Sequence, residues 1–128
     1  MTFIGDHVLD NGLAALKSLA SHVYINTTPE PTPFSAASSG ATSLGSKNFG
    51  AGAVFPGALA AATPNGRKAT SAAITDGVVG TDGTAATFSV TDNANSRLLA
   101  TGTLTASQAV TSANPFTLTL FEVRFPSS

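Results

Sequence analysis

The 128-residue chain contains no cysteine and no tryptophan, and only 13 of its residues carry a formal charge, six basic and seven acidic. Without cysteine there is neither a disulfide framework nor a thiolate metal site. Six dispersed cations cannot form the basic stripe that a nucleic-acid binder needs, so no nucleic acid is expected as a partner. The net charge of −1 also argues against electrostatic attachment to a membrane surface. No apolar run approaches the roughly 20 residues that a membrane-crossing helix requires. The first residues, Met1 to His7, lack the basic start and long apolar stretch of a secretory signal, and the Asn26-Thr27-Thr28 sequon is read as coincidence.

What is present is small. Alanine, threonine, serine and glycine make up just over half of the chain. A sequence of this length predicts one domain with a modest core. Scarce charge weakens the usual defence against self-association, which suits a subunit that lives docked on an array.

Three zones follow one another. Residues 5–20 predict a helix: Leu9, Leu13, Leu16 and Ala20 recur at helical spacing, Asp6 stands as an N-cap, and Asp10 and Lys17 fall on the other side. Such a helix either covers a face of its own sheet or docks into a neighbouring subunit. His22 to Thr27 alternates as a short strand, with Val23 and Ile25 on one side and His22, Tyr24 and Asn26 on the other. Pro29, Pro31 and Pro33 then hold the chain extended.

Residues 32–66 predict a long irregular loop rich in Ser, Gly and Ala but anchored by Phe34, Phe49 and Phe55. A disordered linker seldom carries three phenylalanines, so this loop is expected to be ordered by its own sandwich or by a partner.

Residues 67–126 predict a strand ladder of Ala, Thr, Ser and Val. Strands are expected near Arg67–Ile74, Ala85–Thr91, Arg97–Thr105 and Phe116–Phe125, with a short one around Gln108–Thr111. In the third, Leu98, Ala100, Gly102 and Leu104 share a face. In the last, the apolar phase slips from Phe116, Leu118 and Leu120 to Phe121, Val123 and Phe125, which predicts a β-bulge near Leu120 or, alternatively, a strand covered on both faces. The fold expected is mainly β: an antiparallel sandwich or barrel-like domain with one N-terminal helix.

The chemistry-bearing residues do not gather. Thr75-Asp76-Gly77, Thr81-Asp82-Gly83 and Thr91-Asp92-Asn93 match no calcium-loop spacing and read as turns. His7 and His22 have no acidic or cysteine partner at ligand spacing, so no metal site is expected. No nucleophile elbow and no dinucleotide fingerprint occurs. The expectation is a protein that is not an enzyme and takes no cofactor. Arg67, Lys68 and Arg97 stand at strand starts, either as solvated edge charges or as contacts to a partner subunit.

Two segments carry a resemblance. One is Gly66-Arg67-Lys68-Ala69-Thr70 leading to Ala73-Ile74-Thr75-Asp76-Gly77. The other runs from Phe88-Ser89-Val90-Thr91-Asp92-Asn93 through Ser96-Arg97-Leu98-Leu99-Ala100-Thr101-Gly102 to Ala106-Ser107-Gln108-Ala109-Val110-Thr111-Ser112. With the N-terminal helix, Glu30-Pro31 and Leu44-Gly45, they resemble a family of small structural proteins of tailed bacteriophages. The resemblance implies a virion component with no catalytic residues, assembled in the host bacterial cytoplasm. A capsid decoration (cement) protein is expected, with the major capsid protein and further copies of itself as partners. A neck, tail or tail-fibre component is the alternative, including a carbohydrate-binding module, although Tyr24 is the single residue besides phenylalanine that could offer a sugar platform. The expected partner contacts are Phe34, Phe49, Phe55, Arg67 and Lys68.

Overall fold

The computed structural model describes residues 6–28, 34–38, 43–56, 58–61 and 66–125. Helix α1 (Asp6–Leu19) leads into strand β1 (His22–Asn26), followed by a one-turn helix α2 (Phe34–Ser38) and strands β2 (Ser43–Asn48) and β3 (Ala60–Ala61). Then come β4 (Arg67–Thr70), β5 (Ile74–Val79), β6 (Gly83–Asp92), a 3-10 turn at Asn93–Asn95, β7 (Arg97–Val110), β8 (Pro115–Leu118) and β9 (Glu122–Phe125). Six strands form one sheet in the order β7-β6-β1-β2-β5-β8, and three form a second in the order β3-β4-β9. All pairings are antiparallel and the sheets pack in a sandwich-like arrangement, so the chain is mainly β. Among the described residues no helix is long and apolar enough to cross a membrane.

The helical spacing in α1 has the expected consequence. Leu13 and Leu16 are buried with Ala20 in the same core as Val23, Ile25 and Val90, so α1 covers its own domain. Its neighbour in the second layer is β4, to which Asp10 is tied by Arg67. The cap assigned to Asp6, the side chains of His7 and Leu9, and the Pro29–Pro33 segment lie outside the described residues.

β1 sits in the middle of the large sheet, with β6 on one side and β2 on the other. Val23 and Ile25 enter the core, as alternation demands. The opposite face is not simply solvated: Tyr24 and Asn26 are buried as well. α2 packs on this part of the sheet and its Ala37 carbonyl accepts a hydrogen bond from Asn26 Nδ2 at 3.0 Å.

Several expectations need correction. The loop expected over residues 32–66 contains α2, β2 and β3. β2 reads Ser-Leu-Gly-Ser-Lys-Asn, which has no alternating apolar signal, yet it is paired along both edges, with β1 and β5. Tertiary pairing, not side-chain pattern, makes it a strand. Thr75-Asp76-Gly77 is not a turn but part of β5, where Gly77 faces Phe116 across the ladder. The two strands expected at Arg97–Thr105 and Gln108–Thr111 are one, β7, whose register against β6 slips opposite Ala86. A second slip makes Leu99 an extra residue, so Leu99 and Ala100, not Leu98, pack toward the core.

The last correction concerns the phase slip at Leu120. No bulge realigns a single strand there; instead the chain leaves the large sheet after β8 and joins the small one as β9. Phe116 and Leu118 face the core from one sheet, Phe121 and Val123 pack on it from the other, and Leu120 between them is 56% exposed. β4 and β5 make the reverse change of sheet through Ser71. Alternation broken at a sheet-to-sheet crossing looks, in sequence, like alternation broken at a bulge.

Candidate partner-binding surface

The five residues expected to touch a partner do not form one patch. Phe34 begins α2, is half-buried, and its carbonyl accepts a hydrogen bond from Ser38 Oγ at 2.9 Å. Phe49 follows β2 and is also half-buried, packed at the margin of the core with Lys47 Nζ 5.8 Å from its ring centroid. Its N–H donates to the Ser21 carbonyl at 2.9 Å, which fixes the chain beside the end of α1. Phe55 is different. It is 1% exposed, belongs to the core and meets Phe121 edge-to-face with centroids 6.0 Å apart. A ring held in this way is a structural anchor and is not on offer to a partner.

Arg67 and Lys68 are neighbours on β4 in the small sheet, away from α2. Arg67 Nε donates to Asp10 Oδ1 at 2.7 Å, and Lys68 Nζ to Glu122 Oε2 at 2.6 Å. The first pair joins helix to sheet and the second joins β4 to β9. Both cations are therefore engaged within the chain, a use for strand-start charges that lies between the two readings of the sequence.

Three further acids are also placed structurally. Lys47 Nζ bonds Asp76 Oδ2 at 2.9 Å, and this holds the Asp76 carboxyl below its ordinary pKa. Asp82 Oδ1 accepts the Ser112 N–H at 2.6 Å, and Asp92 Oδ2 accepts Asn95 Nδ2 at 2.8 Å. The three acids of the Thr-Asp motifs thus serve three separate local contacts. No group of three or more His, Asp or Glu among the described residues could hold a metal ion.

His22 joins a polar cluster on the outer side of β1. Its ring stacks on Tyr24 with centroids 5.9 Å apart, and Nδ1 lies 2.9 Å from Ser21 Oγ. Ser21 Oγ in turn accepts the Asn93 N–H at 3.2 Å, Asn93 Nδ2 donates to Tyr24 Oη at 2.8 Å, and Thr91 Oγ1 donates to Asn93 Oδ1 at 2.6 Å. Burial pushes the His22 imidazole below its usual pKa. A serine beside a histidine invites a nucleophile–base reading. Here, however, Ser21 is buried and its oxygen already serves Asn93, which makes the pair a knot that ties the α1–β1 junction to the β6–β7 connection. Tyr24, 8% exposed and stacked, is no sugar platform. Below it Asn26 is saturated in the same manner, accepting Ser89 Oγ at 2.6 Å. Among the described residues every buried side-chain polar atom has a partner.

No protein-family model, curated protein or solved structure matches this chain.

The surface features that pattern reading missed are three shallow grooves, one polar and two apolar. Val78 on β5 is 66% exposed at the rim of a groove of about 330 Å³ between α2, β2 and β5, whose walls carry Tyr24, Ser38, Ser43, Ser46 and Thr81. Leu120 stands beside a groove of about 210 Å³ with Phe88, Leu104, Leu118 and Phe121. A third, of about 240 Å³, lies between α1 and β7, lined by Leu16, Leu19, Leu99, Ala100 and Val123. The phase slip at Leu120 was the one sequence signal for any of these, since a residue at a crossing belongs to neither sheet's inner face.

Proposed function

We propose that this protein is a structural component of a tailed-bacteriophage virion, a capsid decoration protein that docks on the major capsid lattice and associates with its own copies. The observation that carries the reading is how its few charges are used. Lys47, Arg67 and Lys68 are each spent on an internal carboxylate, and Asp82 and Asp92 on internal N–H groups. Much of what the described surface offers a partner is methyl and hydroxyl groups, with isolated apolar residues such as Val78 and Leu120 and the exposed Arg97. Such a surface suits shape-matched docking in many copies, where modest contacts multiply into high avidity. The resemblance of the Arg67–Gly77 and Phe88–Ser112 segments to small phage structural proteins points to the same setting.

Of the expected contact residues, Phe34 and Phe49 stay in this proposal, because each is partly open to solvent; Phe55 leaves it, because it is core. Immunogold electron microscopy of intact virions tests the reading. Label spread evenly over the head is the expected result. Label confined to the neck or tail overturns the decoration role in favour of a tail component, and virions without label overturn the virion role.

A further inference from the structure

Ser21 Oγ has three partners but a single hydrogen to give. The Asn93 N–H, 3.2 Å away, can only donate to it, and the Thr91 carbonyl, 3.4 Å away, can only accept from it. His22 Nδ1, at 2.9 Å, can do either, according to which ring nitrogen carries a proton. A hydroxyl offers one donor and two lone pairs, so two arrangements satisfy this geometry. In the first, the hydroxyl donates to Nδ1 and the imidazole keeps its proton on Nε2. In the second, Nδ1–H donates to Oγ and the hydroxyl turns to the Thr91 carbonyl. A neutral ring can take either, but an imidazolium, protonated on both nitrogens, can take only the second. Distance ranks them for the neutral ring. Hydroxyl bonds form at about 2.5–3.0 Å, which the Nδ1 contact meets and the Thr91 contact exceeds. The Thr91 carbonyl is not orphaned in the first arrangement, because it already accepts the Ser21 N–H at 2.9 Å.

We propose that the Ser21 hydroxyl is a two-position switch set by the charge on His22. It points to Nδ1 while the ring is neutral and to the Thr91 carbonyl once the ring is protonated. The Asn93 N–H stays on Oγ in both positions, so the tie between the α1–β1 junction and the β6–β7 connection survives the titration. The same dipeptide anchors the chain after β2: the Ser21 carbonyl accepts the Phe49 N–H at 2.9 Å and the Ala20 carbonyl accepts the Gly52 N–H at 3.1 Å. Without the Thr91 carbonyl as second acceptor, protonation would set two donors against each other inside a joint where Ser21 is 8% exposed and Thr91 is buried. The residues directly opposite His22 in the sheet are Thr91 and Asn48, neither of which titrates. The charged and titratable groups on the surrounding elements are Asp10 and Lys17 on α1, Tyr24 on β1, Lys47 on β2, Asp92 on β6 and Arg97 on β7. Asp10 pairs with Arg67 and Lys47 with Asp76, Asp92 is held by Asn95 opposite Arg97, and Tyr24 Oη accepts from Asn93. Burial is therefore what opposes the charge on the ring, and the hydroxyl is what accommodates it.

The switch is a property of the isolated chain and does not depend on the virion reading. The test is NMR of the isotope-labelled full chain, following the histidine ring nitrogens and the Thr91 carbonyl carbon from about pH 8 to about pH 4. His22→Gln identifies which ring signals belong to His22 and which to His7. At the alkaline end the His22 Nδ1 signal is expected at the position of an unprotonated nitrogen, with the proton on Nε2. On acidification the Thr91 carbonyl signal is expected to shift with the same midpoint as the ring, as it gains the hydroxyl. In Ser21→Ala the ring should still titrate while the Thr91 shift is lost. A neutral ring protonated on Nδ1 overturns the proposal, because the hydroxyl would then face Thr91 at every pH. A Thr91 carbonyl that ignores the His22 titration overturns it too, as does one that follows it equally in Ser21→Ala. The first two readings come from the wild type, so the test does not hang on the variant folding.

Discussion

Ser71 and Phe121 grip each other at the two points where the chain changes sheets. The Ser71 N–H donates to the Phe121 carbonyl at 2.8 Å, and the Phe121 N–H donates to Ser71 Oγ at 2.9 Å. One crossing carries the chain from β4 to β5 and the other from β8 to β9, so this reciprocal pair closes the corner of the sandwich. It also holds Phe121 against Phe55 and Phe88, whose ring centroids lie 6.0 and 4.3 Å away.

Removing the serine hydroxyl leaves the Phe121 N–H without its acceptor in a site where Ser71 is 4% exposed. An unmet buried donor costs about 1–3 kcal/mol. Ser71→Ala is expected to lower stability by that amount in urea unfolding, and Ser71→Thr, which keeps the hydroxyl, is expected to lose less. Equal losses for the two would show that the hydroxyl is not what holds the corner.

Phe49 and Phe55 are separated by six positions in a stretch of uniform composition, yet their substitutions are expected to differ sharply. Phe55 fills the core, and truncating a buried phenylalanine costs about 3–5 kcal/mol, a large share of the 5–15 kcal/mol typical of a domain. Phe49 is partly exposed and packs only at the core margin. Phe55→Ala should therefore depress the thermal midpoint far more than Phe49→Ser, and Phe49→Ser is the variant suited to testing capsid docking. Lost docking with an unchanged midpoint would place Phe49 at the contact; intact docking would remove it.

This contrast also shows what was legible in the sequence. The helix, the β6 strand and the mainly β class were readable because Leu13 and Leu16, and the alternation through Phe88 and Val90, are driven by local spacing. β2 was not, because a central strand of small residues takes its identity from the neighbours that bond it. Phe55 and Phe49 carry the same side chain in the same kind of sequence, and burial is decided by where Val54 and Phe55 meet the crossing at Phe121. The ion pairs of Arg67 and Lys68 join residues more than fifty positions apart, from Asp10 to Glu122, and sequence separation of that size leaves no local trace.

Two aromatic rings pack against glycines on the neighbouring strand. A Cβ at Gly102 would stand 2.6 Å from Phe88 Cζ, and one at Gly77 would overlap the Phe116 ring. Neither space admits a methyl group unless the ring moves, and overpacking of this kind costs typically about 1–3 kcal/mol. Gly102→Ala and Gly77→Ala are each expected to destabilise within that range. Pairing Gly102→Ala with Phe88→Leu should recover part of the loss, because the smaller side chain vacates the space; simple addition of the two losses in a double-mutant cycle would contradict the contact.

The His22 knot gives stability a pH dependence whose sign is fixed by its environment. Burial disfavours the imidazolium, so the folded-state pKa lies below the ordinary value of 6.5. As pH falls through 6.5 the unfolded chain takes up the proton first, and folding becomes less favourable until the folded pKa is passed. The contribution is thus complete above about pH 6.5 and is lost on acidification. Asp76 behaves likewise at lower pH: Lys47 depresses its pKa from 3.8, so that contribution is present above 3.8 and fades below it. Urea midpoints measured from pH 8 to pH 5 should therefore decline for the wild type, and decline less for His22→Gln, which presents no group to protonate in that window. His7 is common to both proteins, so the difference between the curves reports His22 alone. Parallel curves would mean that His22 titrates in the fold as it does in the open chain, and that the stack on Tyr24 places no constraint on its charge.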